Sequence, residues 1–178
     1  MVADITYRRA EERDITLLAA HHRQMFEEMR SISGLSLQKT CCGPNCSPSS
    51  AGFPERPPMD FARLEEAQQQ KLAGQLPEKT CLAWIAEQNG EPVGSGGLSI
   101  LQTVPVPEDP SAEVGFIHSV YILPSMRRHG IASILVDHLL ADAKRRGLGR
   151  VQLAASEAGR SLYEKKGFMP LEQMILWL

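Results

Sequence analysis

Val120-Tyr121-Ile122-Leu123-Pro124-Ser125-Met126-Arg127-Arg128-His129-Gly130-Ile131-Ala132 is the stretch on which the fold turns. It reads as an apolar strand stopped by a proline, then a basic turn holding one glycine, then the start of a helix. The first turn of a helix has N–H groups without partners and the positive end of the helix dipole, so it attracts phosphate. Gly130 removes a side chain where an anion needs close approach to the backbone, and Ala132 keeps the next such position small. Arg127, Arg128 and His129 add positive charge with no acid beside them. No Gly-Lys-Ser/Thr follows, so this is not a P-loop, and the three-glycine spacing of a dinucleotide fold is missing. Gly94-Ser95-Gly96-Gly97 comes nearer to that spacing, but a strand and a proline loop follow it rather than a helix.

Working outward, Val114 to Leu123 reads as a long strand and Ile131 to Arg146 as a helix burying Ile131, Ile134, Leu135, Leu139 and Ala143. Gly147 sits where a helix-ending glycine belongs, after the cations Lys144, Arg145 and Arg146. A short strand at Val151 to Ala154, a helix from Glu157 to Lys165 and a final strand within Phe168 to Leu178 follow. Upstream, Thr80 to Glu87 and Pro92 to Leu101 flank Asn89-Gly90, a strong hairpin signal. Ile5 and Tyr7 mark a first strand, Asp14 a cap, and Ile15 to Arg30 a helix with Leu18, His22, Met25, Phe26 and Met29 at helical spacing. Met59 to Ala73 is a second helix, with Phe61, Leu64 and Ala67 inward. Between these two helices, about residues 31–58, lies a loop rich in cysteine, proline and glycine. The expected fold is α+β, a mixed and mostly antiparallel sheet with helices on both faces.

The 178 residues suit one domain spanning 1–178. Apolar residues make up 43% and charged residues 22%, too apolar for a disordered chain. A net charge of −2 gives the whole molecule no reason to seek nucleic acid or acidic lipid, so an anion site must be local. No apolar run is long enough to span a membrane, and the charged opening from Met1 to Asp14 does not read as a secretory signal. Four cysteines do not make a disulfide scaffold, so a cytoplasmic, reduced protein is expected.

Arg127-Arg128-His129-Gly130-Ile131-Ala132 resembles the Arg/Gln-x-x-Gly-x-Gly/Ala signature of the GNAT superfamily of acyl-CoA-dependent N-acetyltransferases. Ser161-Leu162-Tyr163-Glu164-Lys165-Lys166-Gly167-Phe168 is similar to that family's Leu-Tyr-x-x-x-Gly-Phe segment, and the resemblance runs from about Glu113 to Leu178. It implies acetyl-CoA as co-substrate, its pyrophosphate held by the backbone of Arg127, Arg128, His129, Gly130, Ile131 and Ala132. It implies that the pantetheine arm pairs with Val120, Tyr121 and Ile122, inserted where the strand ending at Pro124 and the strand at Val151 to Ala154 splay. Ser156 stands where the family often has an asparagine that contacts CoA. Tyr163 matches the family's general acid toward the CoA sulfur. The acceptor pocket falls to the first helices and loops, where His22 and Phe26 are the candidate substrate contacts.

An amine attacking a thioester needs a neutral nitrogen, a donor for the oxyanion and a proton for the thiolate. An N–H at a bulged strand near Val120 suits the oxyanion. A thiol near 8.5 and a tyrosine near 10 differ by about 1.5 units, so Tyr163 serves best by hydrogen-bonding the departing sulfur. For the base, Glu113, His118 and His22 all stand as candidates; Glu113 lies near the start of the long strand, where the family often has a carboxylate or a water chain.

The expected function is transfer of an acetyl group from acetyl-CoA to a primary amine of a small molecule or peptide, by direct attack in a ternary complex. Two other readings are set against it. One is a non-catalytic acyl-CoA sensor. The other is a metal- or redox-responsive protein acting through Cys41-Cys42-Gly43-Pro44-Asn45-Cys46, although a fourth metal ligand is not apparent and no metal is expected. Cys81 is expected in the core. A homodimer is left open.

Overall fold

The computed structural model describes residues 4–33 and 58–173. The cysteine-bearing segment Cys41 to Cys46 therefore lies outside the described residues, as does the end of the expected last strand. Residues 168–173 form neither strand nor helix.

Five strands lie in the order β1 (Ile5–Arg9), β2 (Cys81–Gln88), β3 (Glu91–Gln102), β4 (Glu113–Ile122) and β5 (Val151–Leu153). The first four pair antiparallel, and β5 joins β4 in parallel. Asn89 and Gly90, both at positive φ, make the β2–β3 hairpin turn that the sequence signalled. Helices α1 (Ile15–Ser33) and α2 (Phe61–Gln75) come before β2, while α3 (Ile131–Arg145) and α4 (Glu157–Lys165) flank β5.

Strand alternation sorts the core into two faces. Cys81, Ala83 and Ile85 of β2 turn to one side and pack with Leu18 of α1 and Leu72 of α2. Ala86, with Val93 and Ile122, turns to the other and packs on Ile131 and Leu135 of α3. Leu98 and Ile117 extend that second core against Val136, Leu139 and Ala143. Two expected core positions differ. Ile134 is exposed and Val136 is buried in its place; on α2, Ala67 is exposed and Gln68 is buried. Both corrections are one- or two-position rotations of a helix face whose apolar stripe is broad.

The glycines of β3 let elements close. A Cβ on Gly96 would meet Leu139 Cδ1 at 3.2 Å, and one on Gly94 would meet Ile122 Cδ1 at 2.5 Å. The dinucleotide-like run Gly94 to Gly97 is thus strand backbone that admits its neighbours.

Candidate active site

β4 and β5 pair only from Gly115 to Ile117 against Val151 to Leu153. Beyond Ile117 β5 has ended while β4 runs on to Ile122, so this edge of β4 has no strand partner there, a gap in the sheet. Leu123 N–H donates to Val93 C=O at 3.0 Å, toward β3. By alternation the N–H and C=O groups of Ile122 and Val120 face the other edge, into the gap.

β4 carries a bulge within that stretch. Gly97 pairs with His118 and Ser95 with Tyr121, so the single residue Gly96 faces both Ser119 and Val120. Ser119 takes φ 55, a left-handed conformation unusual for a side chain larger than glycine. The bulge resets the alternation, so His118, Ser119 and Tyr121 all reach toward α1.

At the end of β4, Pro124 to Met126 form a short 3-10 turn, and Gly130 caps α3 at φ 79. Arg128 also sits at positive φ, 65. No side chain caps α3, and nothing lies within 4 Å of where a Gly130 Cβ would be. The first helical bond, Ile134 N–H to Gly130 C=O at 3.3 Å, leaves the N–H groups of Ile131, Ala132 and Ser133 free for an anion. Arg127 does not reach over this turn. Its Nε donates to Ile122 C=O at 2.9 Å, and its terminal nitrogen pairs with Glu28 of α1 at 2.5 Å. Tyr121 O–H donates to the other Glu28 oxygen at 2.8 Å. Burial, reinforced by the Glu28 carboxylate, pushes the Tyr121 hydroxyl up to about 12. Burial works against the charge of Glu28, yet the hydrogen bonds from Arg127 and Tyr121 hold its carboxyl below the usual range.

α4 stands beyond β5. Ser156 caps it by accepting from Gly159 N–H at 3.2 Å. Tyr163 lies in the α3-side core with its ring edge-on to Phe168 at 5.8 Å. Burial raises its hydroxyl above the ordinary tyrosine value.

Between the sheet and α1 lies a polar patch. His21 Nδ1 meets Ser95 Oγ at 2.9 Å. His22 Nδ1 meets Ser119 Oγ at 2.7 Å, and the same oxygen meets His118 Nδ1 at 2.9 Å. His118 Nε2 meets Ser99 Oγ at 2.8 Å, with Cys81 Sγ at 3.9 Å. Burial and the nearby Lys71 charge push His22 down to about 4. Burial pushes His118 down to about 3, with Lys71 and His22 adding to it. Both rings are therefore neutral at neutral pH. The His22 ring lies edge-on to Phe26 at 5.0 Å. A cavity of about 10 Å³, room for one water, opens beneath the bulge between Leu72, Cys81, Ser95 and Ser119.

His22, Phe26, His118, Tyr121 and the bulge are thus brought together. Glu113 is not among them. It starts β4, opposite Gln102, whose amide donates to it at 3.1 Å. Nine residues of strand, about 30 Å at ~3.3 Å each, separate it from Ile122.

Sequence reasoning missed Ser119, Glu28 and the role of Gly97. A Cβ on Gly97 would meet His118 Cε1 at 2.8 Å, so the glycine makes room for the imidazole. The signal was present: Ser95, Gly97 and Ser99 alternate along β3, small residues on one face of a strand that otherwise reads as core.

The edge of β4 that no strand pairs thus lies beside the uncapped, glycine-led start of α3. The Acetyltransferase (GNAT) family profile matches residues 50–168. The chain belongs to the GNAT acetyltransferase family. Among solved structures it is similar to a GCN5-related N-acetyltransferase from Ralstonia eutropha JMP134, at 23% identity and TM-score 0.77, covering 98% of this chain and 99% of that one. It is also similar to a predicted acetyltransferase from Clostridium acetobutylicum solved with acetyl-CoA, at 23% identity and TM-score 0.74, covering 98% and 96%. An aminoglycoside N-acetyltransferase in complex with CoA matches at 16% identity and TM-score 0.62, covering 99% and 95%. No curated protein matches the chain. No described helix is long and apolar enough to cross a membrane.

Proposed function

We propose that this protein transfers an acetyl group from acetyl-CoA to a primary amine of a small molecule or peptide, by direct attack in a ternary complex. One observation carries the reading: the uncapped helix start at Gly130 stands beside the edge of β4 that β5 leaves unpaired. The free amides of Ile131, Ala132 and Ser133 suit a pyrophosphate. The outward edge of Val120 and Ile122 suits the amide-bearing arm that follows it, paired as an extra strand. The solved relative with acetyl-CoA supports the choice of carrier.

In this reading the thioester carbonyl lies against the Val120 N–H, which donates to the oxyanion as it forms. The amine nitrogen bonds to the carbonyl carbon, the carbon–sulfur bond breaks, and the thiolate leaves. Tyr163 hydrogen-bonds the departing sulfur. Its raised hydroxyl makes full proton transfer to sulfur less favourable still, so the thiolate's proton comes from the attacking nitrogen. Ser156, whose oxygen is used as a helix cap, keeps its O–H to donate to the carrier.

Calorimetry with acetyl-CoA and a thiol-release assay against polyamines, amino acids, aminoglycosides and peptides test this. Saturable binding together with amine-dependent thiol release is expected. Binding with no release across the panel would make the protein a sensor of acyl-CoA, and the absence of binding would remove the site.

A further inference from the structure

We infer that His22 is the general base of this site and that Ser119 and His118 hold it in position, an assignment that rests on the acetyltransferase reading above. The Ser119 hydroxyl has one hydrogen and stands between two ring nitrogens, at 2.7 Å from His22 Nδ1 and 2.9 Å from His118 Nδ1. It donates to one ring only and must accept an N–H from the other. When Ser119 donates to His118, His22 carries its proton on Nδ1 and presents Nε2 as a bare lone pair. His118 then carries its proton on Nε2 and donates to Ser99 Oγ. That orientation also accepts a second proton on His22, because the imidazolium still donates from Nδ1 to the same oxygen. The arrangement follows triad logic: the base is held in one tautomer by a group behind it.

The backbone spends conformational freedom to build this chain. Ser119 sits at φ 55 in the bulge, next to the Val120 amide proposed for the oxyanion. Gly97 leaves the space that the His118 ring fills. Burial, aided by nearby charge, keeps both rings neutral. Lys71 of α2 is the cation that acts on both. From α1 itself, Arg23 is already paired with Glu27 and with Glu65 of α2. β2 presents the Cys81 thiol, raised by burial, and β3 presents the hydroxyls of Ser95 and Ser99. His21, also lowered by burial, lies behind Ser95.

The step balances. The amine arrives neutral, and its nitrogen becomes acidic as it bonds to the carbonyl carbon. One N–H proton passes to His22 Nε2 as the carbon–sulfur bond breaks, giving the amide, a CoA thiolate and a His22 imidazolium. The imidazolium then returns that proton to the thiolate, giving CoA and neutral His22. A base that titrates near 4 adds no limb to the rate profile near pH 6.5; the rise with pH follows the amine.

His22→Gln, Ser119→Gly and the double variant, each checked for thermal midpoint, test this. Glycine suits φ 55, so Ser119→Gly removes the hydroxyl without straining the bulge. Expected are a fall of ~100-fold in kcat for His22→Gln and ~10-fold for Ser119→Gly, with acetyl-CoA affinity within about twofold of the parent. The double variant should be no slower than His22→Gln alone, because the groups act as one unit. Parent-like kcat in His22→Gln, or losses that multiply in the double variant, would overturn the assignment while leaving the enzyme reading standing. If His22→Gln does not fold, parent-like kcat in Ser119→Gly decides against it. No binding of acetyl-CoA by the parent would instead remove the reading on which it rests.

Discussion

The two sides of β4 use different means to prepare a site. On the α3 side, the features are backbone: a glycine at φ 79, free amides and an unpaired strand edge, with Arg127 turned to Glu28. On the α1 side, side chains do it: three histidines and three serines in hydrogen-bonded order, set by one bulge. Backbone recognition depends on local conformation, so it survives most side-chain changes and fails when the turn cannot form. Side-chain recognition depends on several elements meeting, so it tolerates changes in the turn and fails when one ring is displaced.

The largest expected effect is at Gly130. Gly130→Glu puts an L-residue at φ 79 and a negative charge on the proposed anion site. Acetyl-CoA affinity should fall by at least ~100-fold by calorimetry, with the polar patch near α1 unchanged by NMR of its histidine rings. Equal loss in both regions would break the division. Gly97→Ala works from the other side. Its Cβ must displace the His118 ring, at a cost of roughly 1–3 kcal/mol in stability, and turnover should fall while acetyl-CoA still binds. Tyr163→Phe should be milder, about tenfold in kcat with affinity kept, since the hydroxyl is asked only for a hydrogen bond to sulfur. Arg127→Ala is milder again toward the carrier, a few-fold in affinity, because the side chain is already engaged by Ile122 C=O and Glu28.

Asp14 supplies a control remote from both sides. Its carboxylate accepts two hydrogen bonds from Arg8, at 2.7 and 2.8 Å, which hold it below the usual 3.8 against the opposing effect of burial. A lowered folded value contributes stability that is present above pH 3.8 and is lost as pH falls through the folded value. Asp14→Asn should therefore narrow the stability gap between pH 6 and pH 3 in urea titrations, leaving acetyl-CoA affinity as it was.

The same contrast explains what could be read from sequence. The strand, turn and helix from Val120 to Ala132 are contiguous, so their local signals sum within one window. Asn89-Gly90 was legible for the same reason. The β4 bulge was expected near Val120, but its consequence was not. His22 meets Ser119 across 97 residues, and that contact depends on how α1 lies over the sheet. Glu113 shows the limit in the opposite direction. It starts β4, nine residues before Ile122, and strand length rather than residue type sets it apart from the residues gathered at the bulge. The expected last strand, Phe168 to Leu178, falls partly outside the described residues; its first six residues, 168–173, take no regular structure.

Asp142, near the far end of α3, is almost wholly buried and ties that helix to the sheet. It accepts from Trp84 of β2 at 2.8 Å and pairs with Arg9 of β1 and Arg145 of its own helix. Trp84 in turn stacks on His138, one turn earlier, at 4.0 Å. A helix moored at its tail resists sliding along its axis, which holds the first amides after Gly130 in a fixed relation to the end of β4.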